Sequence, residues 1–149
     1  SRASAYNLSL HEQARGFSHK FNIPYSAVAY GSGSTDTVTV TLGALPANWV
    51  INNALVNVST AFAGTTAFTV QVGTTTSSAA FVTATSVLSA GVIGSPLSAT
   101  LTNATGTASA NLVATFTNAT GGSPSALTAG ALDIYLNIVD LSGAGPKLG

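Results

Sequence analysis

Asp36-Thr37-Val38-Thr39-Val40-Thr41-Leu42 is the stretch on which the fold turns. Successive side chains of a strand point to opposite faces, so this order sets Val38, Val40 and Leu42 on one face and three threonines on the other. Threonine branches at Cβ, which suits a pleated and half-exposed surface better than a helix. The same rhythm recurs outward from this point. Phe68, Val70 and Val72 alternate with Thr69 and Gln71, and Val56, Val58 and Phe62 share a face opposite Asn57 and Ser59. Leu97/Ala99/Leu101, Ala110/Leu112/Ala114/Phe116 and Leu132/Ile134/Leu136/Ile138 repeat it later, while Phe21–Tyr30 and Ala79–Leu88 carry a less regular version.

Turn residues separate these runs. Gly31-Ser32-Gly33, Leu45-Pro46-Ala47-Asn48, Gly64, Gly73, Gly91, Gly94-Ser95-Pro96, Gly106 and Gly121-Gly122-Ser123-Pro124 follow at short intervals. About eight strands at such spacing predict an all-β fold, an antiparallel β-sandwich of jelly-roll-like form. No segment of the body is long and helical enough to cross over between parallel strands, which argues against an α/β fold. Asn103-Ala104-Thr105-Gly106 and Asn118-Ala119-Thr120-Gly121 form a small repeat, read as two similar loops, each following a strand.

Charge divides the chain. Only 5% of its 149 residues are Asp, Glu, Lys or Arg, against about 25% in typical domains. Arg2, Glu12, Arg15 and Lys20, with both histidines, His11 and His19, lie in the first twenty residues; between Phe21 and Leu132 the one charged residue is Asp36. Residues 1–20 are therefore read as an extended N-terminal arm, 21–141 as the sandwich, and 142–149, with its glycines and Pro146, as a flexible tail. Within the arm, Ser9 and Glu12 fit a capping box and Gly16 a C-terminal cap, predicting a helix of little more than one turn. The start of the chain has no apolar run of the kind a signal peptide carries, so none is expected there. No window approaches the run of about 20 apolar residues of a membrane helix.

The residue inventory offers little chemistry. There is no cysteine, hence no disulfide framework and no thiol nucleophile. A catalytic triad needs a base, and the two histidines both fall in the arm. Asp133 and Asp140 are seven residues apart in one extended segment, roughly 23 Å at strand rise, too far to flank one glycosidic bond. They are read as marking an edge strand or its solvent face. His11, Glu12 and His19 match no standard zinc spacing, and the body lacks the basic patch that nucleic acid requires. Neither an enzyme, a cofactor nor a metal is expected. Trp49 with Tyr25, Tyr30 and Tyr135 reads either as a carbohydrate-stacking platform or, more commonly for a single Trp after a turn, as packing at the core edge. Four glycosylation sequons begin at Asn7, Asn57, Asn103 and Asn118.

The stretch from Asp36 through Leu45-Pro46-Ala47-Asn48-Trp49 to Ile51 resembles the small jelly-roll structural proteins of tailed bacteriophages, of the capsid decoration, cement or head-fibre type. So do Ala54-Leu55-Val56-Asn57-Val58-Ser59-Thr60-Ala61-Phe62 and Phe68-Thr69-Val70-Gln71-Val72-Gly73. The likeness is one of pattern and spans roughly residues 34–141. It implies a homotrimeric virion protein, assembled in the host cytoplasm, that sits on the capsid surface and binds the major capsid protein at capsomer junctions. The alternative it implies is a fibre-tip or receptor-binding module for host surface glycans. In the first case the arm would dock on the shell, with Tyr6, Leu8, Leu10 and Phe17 as apolar anchors and Arg2, Arg15 and Lys20 meeting acidic shell residues.

Overall fold

The computed structural model describes residues 4–6, 17–29, 37–45, 49–93, 110–120 and 123–140. Nine strands lie within them: β1 (Ser4–Tyr6), β2 (His19–Pro24), β3 (Thr37–Leu45), β4 (Trp49–Ala63), β5 (Ala67–Thr74), β6 (Val82–Ser86), β7 (Gly91–Ile93), β8 (Ala110–Thr120) and β9 (Ala129–Asp140). Two single 3-10 turns, Tyr25–Ala27 and Pro124–Ala126, are the other regular elements among the described residues.

The strands form a five-stranded sheet in the order β1-β2-β9-β4-β7 and a four-stranded sheet in the order β3-β8-β5-β6. Every pairing is antiparallel. Four of the pairs are nested: β5 with β6, β4 with β7, β3 with β8 and β2 with β9. A chain folded back on itself at β5–β6 and then rolled into two sheets has this pattern, which is the eight-stranded jelly roll. β1 extends the β2 edge.

The core lies between the sheets. Ile23, Ile51, Ala54, Val56, Leu132, Ile134 and Leu136 face it from one side, and Val38, Val40, Phe68, Val70, Val72, Ala114 and Phe116 from the other, all buried. Phe62, Phe68 and Phe116 form an aromatic trio with ring centroids 5.6 to 6.0 Å apart, within the favourable range for tilted or offset rings. Val87 ties the layers at one edge: it accepts from the Phe62 amide of β4 at 3.0 Å and donates to the Phe68 carbonyl of β5 at 3.1 Å.

Bulges adjust the inward pattern. In β3 the register shifts between Thr41 and Gly43, and this lets both Leu42 and Leu45 reach the core although they are an odd number of residues apart. β4 pairs with β9 through three such shifts, near Asn52, Ser59 and Ala61. Extra residues on one strand increase local twist, which allows the longest strand of the molecule to coil over the core.

The all-β sandwich expected from the alternation is what the chain forms. Several details differ. The strand expected over Phe21–Tyr30 stops at Pro24, which lacks an N–H to continue the ladder, and gives way to the Tyr25–Ala27 turn. Asn118-Ala119-Thr120, expected to be loop, instead ends β8, and Asn118 is fully buried opposite Phe68. β9 is not an edge strand: it lies between β2 and β4, so Asp133 sits on the solvent face of a central strand. Sheet structure takes up residues on both sides of position 20, with Ser4–Tyr6 in β1 and His19 and Lys20 opening β2. The capping-box helix, the Leu97–Leu101 strand, the Asn103 loop and the 142–149 tail lie outside the described residues.

Candidate functional site

The two outer faces of the sandwich differ in chemistry. On the four-stranded sheet, register aligns Thr37, Thr117, Thr69 and Ser86 in one row across all four strands, with Thr39, Thr115 and Gln71 in the next. Neighbouring strands stand about 4.8 Å apart and alternate residues about 6.8 Å, so this face is a lattice of short hydroxyl-bearing side chains. None of its four strands contains a charged residue.

The five-stranded sheet carries the described charges. Register places Asn22, Asp133, Asn57 and Val92 in one row and Lys20, Tyr135 and Leu55 in another. Asn22 Nδ2 donates to Asp133 Oδ1 at 3.0 Å. Lys20 Nζ lies 5.4 Å from the centroid of the Tyr135 ring, within cation–π range. The Phe17 ring also approaches Tyr135, at 5.5 Å and tilted by 47°. Val92 is the most exposed large apolar side chain described, at 63%.

Ser18 fastens the chain to this sheet before β2 begins. Its amide donates to the Leu136 carbonyl at 2.9 Å, its hydroxyl contacts the same carbonyl at 3.3 Å, and the Ile138 amide donates to Ser18 Oγ at 2.8 Å. His19 Nδ1 lies 2.7 Å from the same oxygen, and its ring stacks on Phe21 at 6.4 Å. Partial burial pushes the His19 pKa below its ordinary value, because the charged ring would lose water there.

The arm residues expected to dock are thus split. Phe17 and Lys20 pack on Tyr135 of the chain's own β9. Tyr6 is in β1, paired in register with Lys20. Arg2, Leu8, Leu10 and Arg15 lie outside the described residues, as do His11 and Glu12. The role of Tyr135 as the seat for the end of the arm was not visible in the sequence, because residues 17 and 135 meet only through the β2–β9 pairing. Tyr25 stands in the 3-10 turn after β2, whereas Tyr135 is on the outer face of β9; Tyr30 is outside the described residues, so no shared platform is described. The sequon at Asn118 is closed in the folded chain by burial, and Asn57 is half-buried in the middle of a sheet. Among the described residues no three His, Cys, Asp or Glu side chains come together. Compared with family models, curated proteins and solved structures, the chain finds no match.

Proposed function

We propose that this chain is a structural protein of a bacteriophage particle, one that decorates or cements the capsid exterior by binding the major capsid protein where capsomers meet. The observation that supports this reading most is the four-stranded sheet without a single charged residue. Free proteins keep themselves apart with surface charge, and near-zero net charge promotes association. An uncharged hydroxyl face suits copies held side by side at fixed spacing. The pattern resemblance of residues 34–141 to phage decoration proteins points the same way.

In this reading the sandwich is a rigid body and the arm makes the attachment. Because Phe17, Ser18 and Lys20 are engaged with β9, they act as the root of the arm. Docking falls to Arg2, Tyr6, Leu8, Leu10 and Arg15. Self-association would present several arms at once and raise avidity through effective concentration. The resemblance implies three copies.

Co-sedimentation with undecorated capsids tests the proposal. The full chain should pellet with capsids, and a chain lacking residues 2–16 should lose at least about tenfold in affinity, a loss of roughly 1.4 kcal/mol. The deletion removes β1 but stops short of Ser18, so that β2 keeps its fastening to β9. Equal binding by both chains would refute the arm's role. Absence of capsid binding together with retention on host surface glycans would replace this reading by that of a fibre-tip module.

A further inference from the structure

β2 begins with a histidine on the face that the sandwich closes over. His19, Phe21 and Ile23 share that face of β2 by alternation, and Lys20 and Asn22 share the other. Register sets His19 against Leu136, which is fully buried. The imidazole is half-buried and stacks on the buried Phe21 ring, with the planes 11° apart. Its polar partner among the described residues is the Ser18 hydroxyl, 2.7 Å from Nδ1. The same oxygen accepts from the Ile138 amide at 2.8 Å, so its own proton is left for Nδ1 or for the Leu136 carbonyl at 3.3 Å. When the neutral ring carries its proton on Nε2, the shorter contact is a donation from Ser18 to Nδ1. Donation then runs one way, from Ile138 through Ser18 to His19, and fastens the end of the β2–β9 ladder.

A second proton on the ring turns Nδ1 from acceptor into donor. Ser18 Oγ then meets two N–H donors, and its own proton is left to the Leu136 carbonyl, which already accepts from the Ser18 amide at 2.9 Å. The new charge also lies against apolar groups, Phe21 and Leu136, with Ile134 and Ile138 to either side on β9. The ionisable residues of the described segments stand elsewhere. Lys20, Asp133 and Tyr135 are on the opposite face of β2 and β9, Tyr6 is in register with Lys20, and Tyr25 follows the far end of β2. Asp140 is four residues beyond Leu136, about 13 Å at strand rise. β3, β4, β5, β6, β7 and β8 contain no ionisable side chain. His11 and the other charged residues lie outside the described residues. With no described carboxylate beside it, an imidazolium is more stable in water than against Phe21. We infer that His19 is a pH-operated latch: neutral, it holds residues 17 and 18 against β9, and protonated, it swings out and releases them as an extension of the N-terminal arm. In the released segment the ring titrates at its ordinary value of 6.5, and burial holds it below that value in the latched one. Release is therefore disfavoured above that pH and becomes easier as pH falls from it toward the latched value. The pairing of Lys20–Pro24 with β9 stays in place, so the opening is local. The latch holds whatever the arm binds, and loss of capsid binding leaves it intact.

Amide hydrogen exchange of the full chain, read by NMR, tests this. The Ile138 amide reports the latch, and the Ile134 amide, in the middle of the ladder, reports global opening. Between pH 7.5 and 5.0, corrected for the intrinsic pH dependence of exchange, protection at Ile138 should fall at least about threefold relative to Ile134. The Ile138 amide and the His19 ring should titrate with one midpoint, below 6.5. In His19→Phe, which keeps a ring on Phe21 and takes up no proton, the ratio of the two protections should be the same at both pH values. Constant protection at Ile138 in the unaltered chain overturns the inference. So does a fall that Ile134 shares equally, or one that persists in His19→Phe.

Discussion

A Cβ added at Gly130 would clash with the Phe62 ring, and the backbone there has φ +138°, a region that L side chains rarely adopt. Phe62 in turn packs on Phe68 and Phe116. Gly130→Ala is therefore expected to cost at least about 2 kcal/mol in urea denaturation, from strain and overpacking together. Phe116→Ala should cost about 3–5 kcal/mol in the same assay, because its ring is fully buried between two others. His19 gives a pH dependence. Burial lowers its pKa from the ordinary 6.5, so the unfolded chain takes up the proton first as pH falls. The stability it contributes is complete above that pH and declines as pH drops from there toward the folded value. Thermal melts at pH 7.5 and 5.5 should differ more for the unaltered chain than for His19→Phe, which keeps the stack on Phe21; equal differences would refute the assignment.

At the scale of elements, the end of the arm and β9 are joined by Ser18. Ser18→Ala removes the acceptor of the Ile138 amide and leaves the ladder of β2 and β9 otherwise intact. The expected result is a global loss of about 0.5–1.5 kcal/mol with faster hydrogen exchange at Ile138, while the Ile134 amide stays protected. The inward residues of β3, β4, β5, β8 and β9 were legible from alternation alone. β1 and β7 were not, since three residues contain too little periodicity to read. Nor was the central position of β9: Asp133 suggests an edge by its charge, but the outer face of a one-sided sheet is as wet in its middle as at its rim. Of the arm residues, Phe17 and Lys20 were recognised as notable, yet their seat on Tyr135 depends on a partner strand more than a hundred residues away.

For the whole molecule, the nested pairing has a kinetic consequence. The outermost pair, β2 with β9, joins Phe21 to Ile134, and such distant contacts must close large loops before they stabilise anything. The main refolding phase should fall in the range of about milliseconds to seconds, as for other folds dominated by non-local strands. Stopped-flow circular dichroism measures it, and complete refolding within microseconds would contradict the nested order.

Thr-Val-Thr-Val-Thr and its counterparts by themselves determined that the chain is all-β and which residues face the core. Those properties follow from the two-residue repeat of an extended backbone, which each segment carries locally. Tertiary structure alone decided which strands are neighbours, that β9 lies in the middle of its sheet, and that Phe17 and Lys20 lie against Tyr135. Pairing depends on how two distant faces fit when brought together, and no segment read by itself contains the shape of its partner.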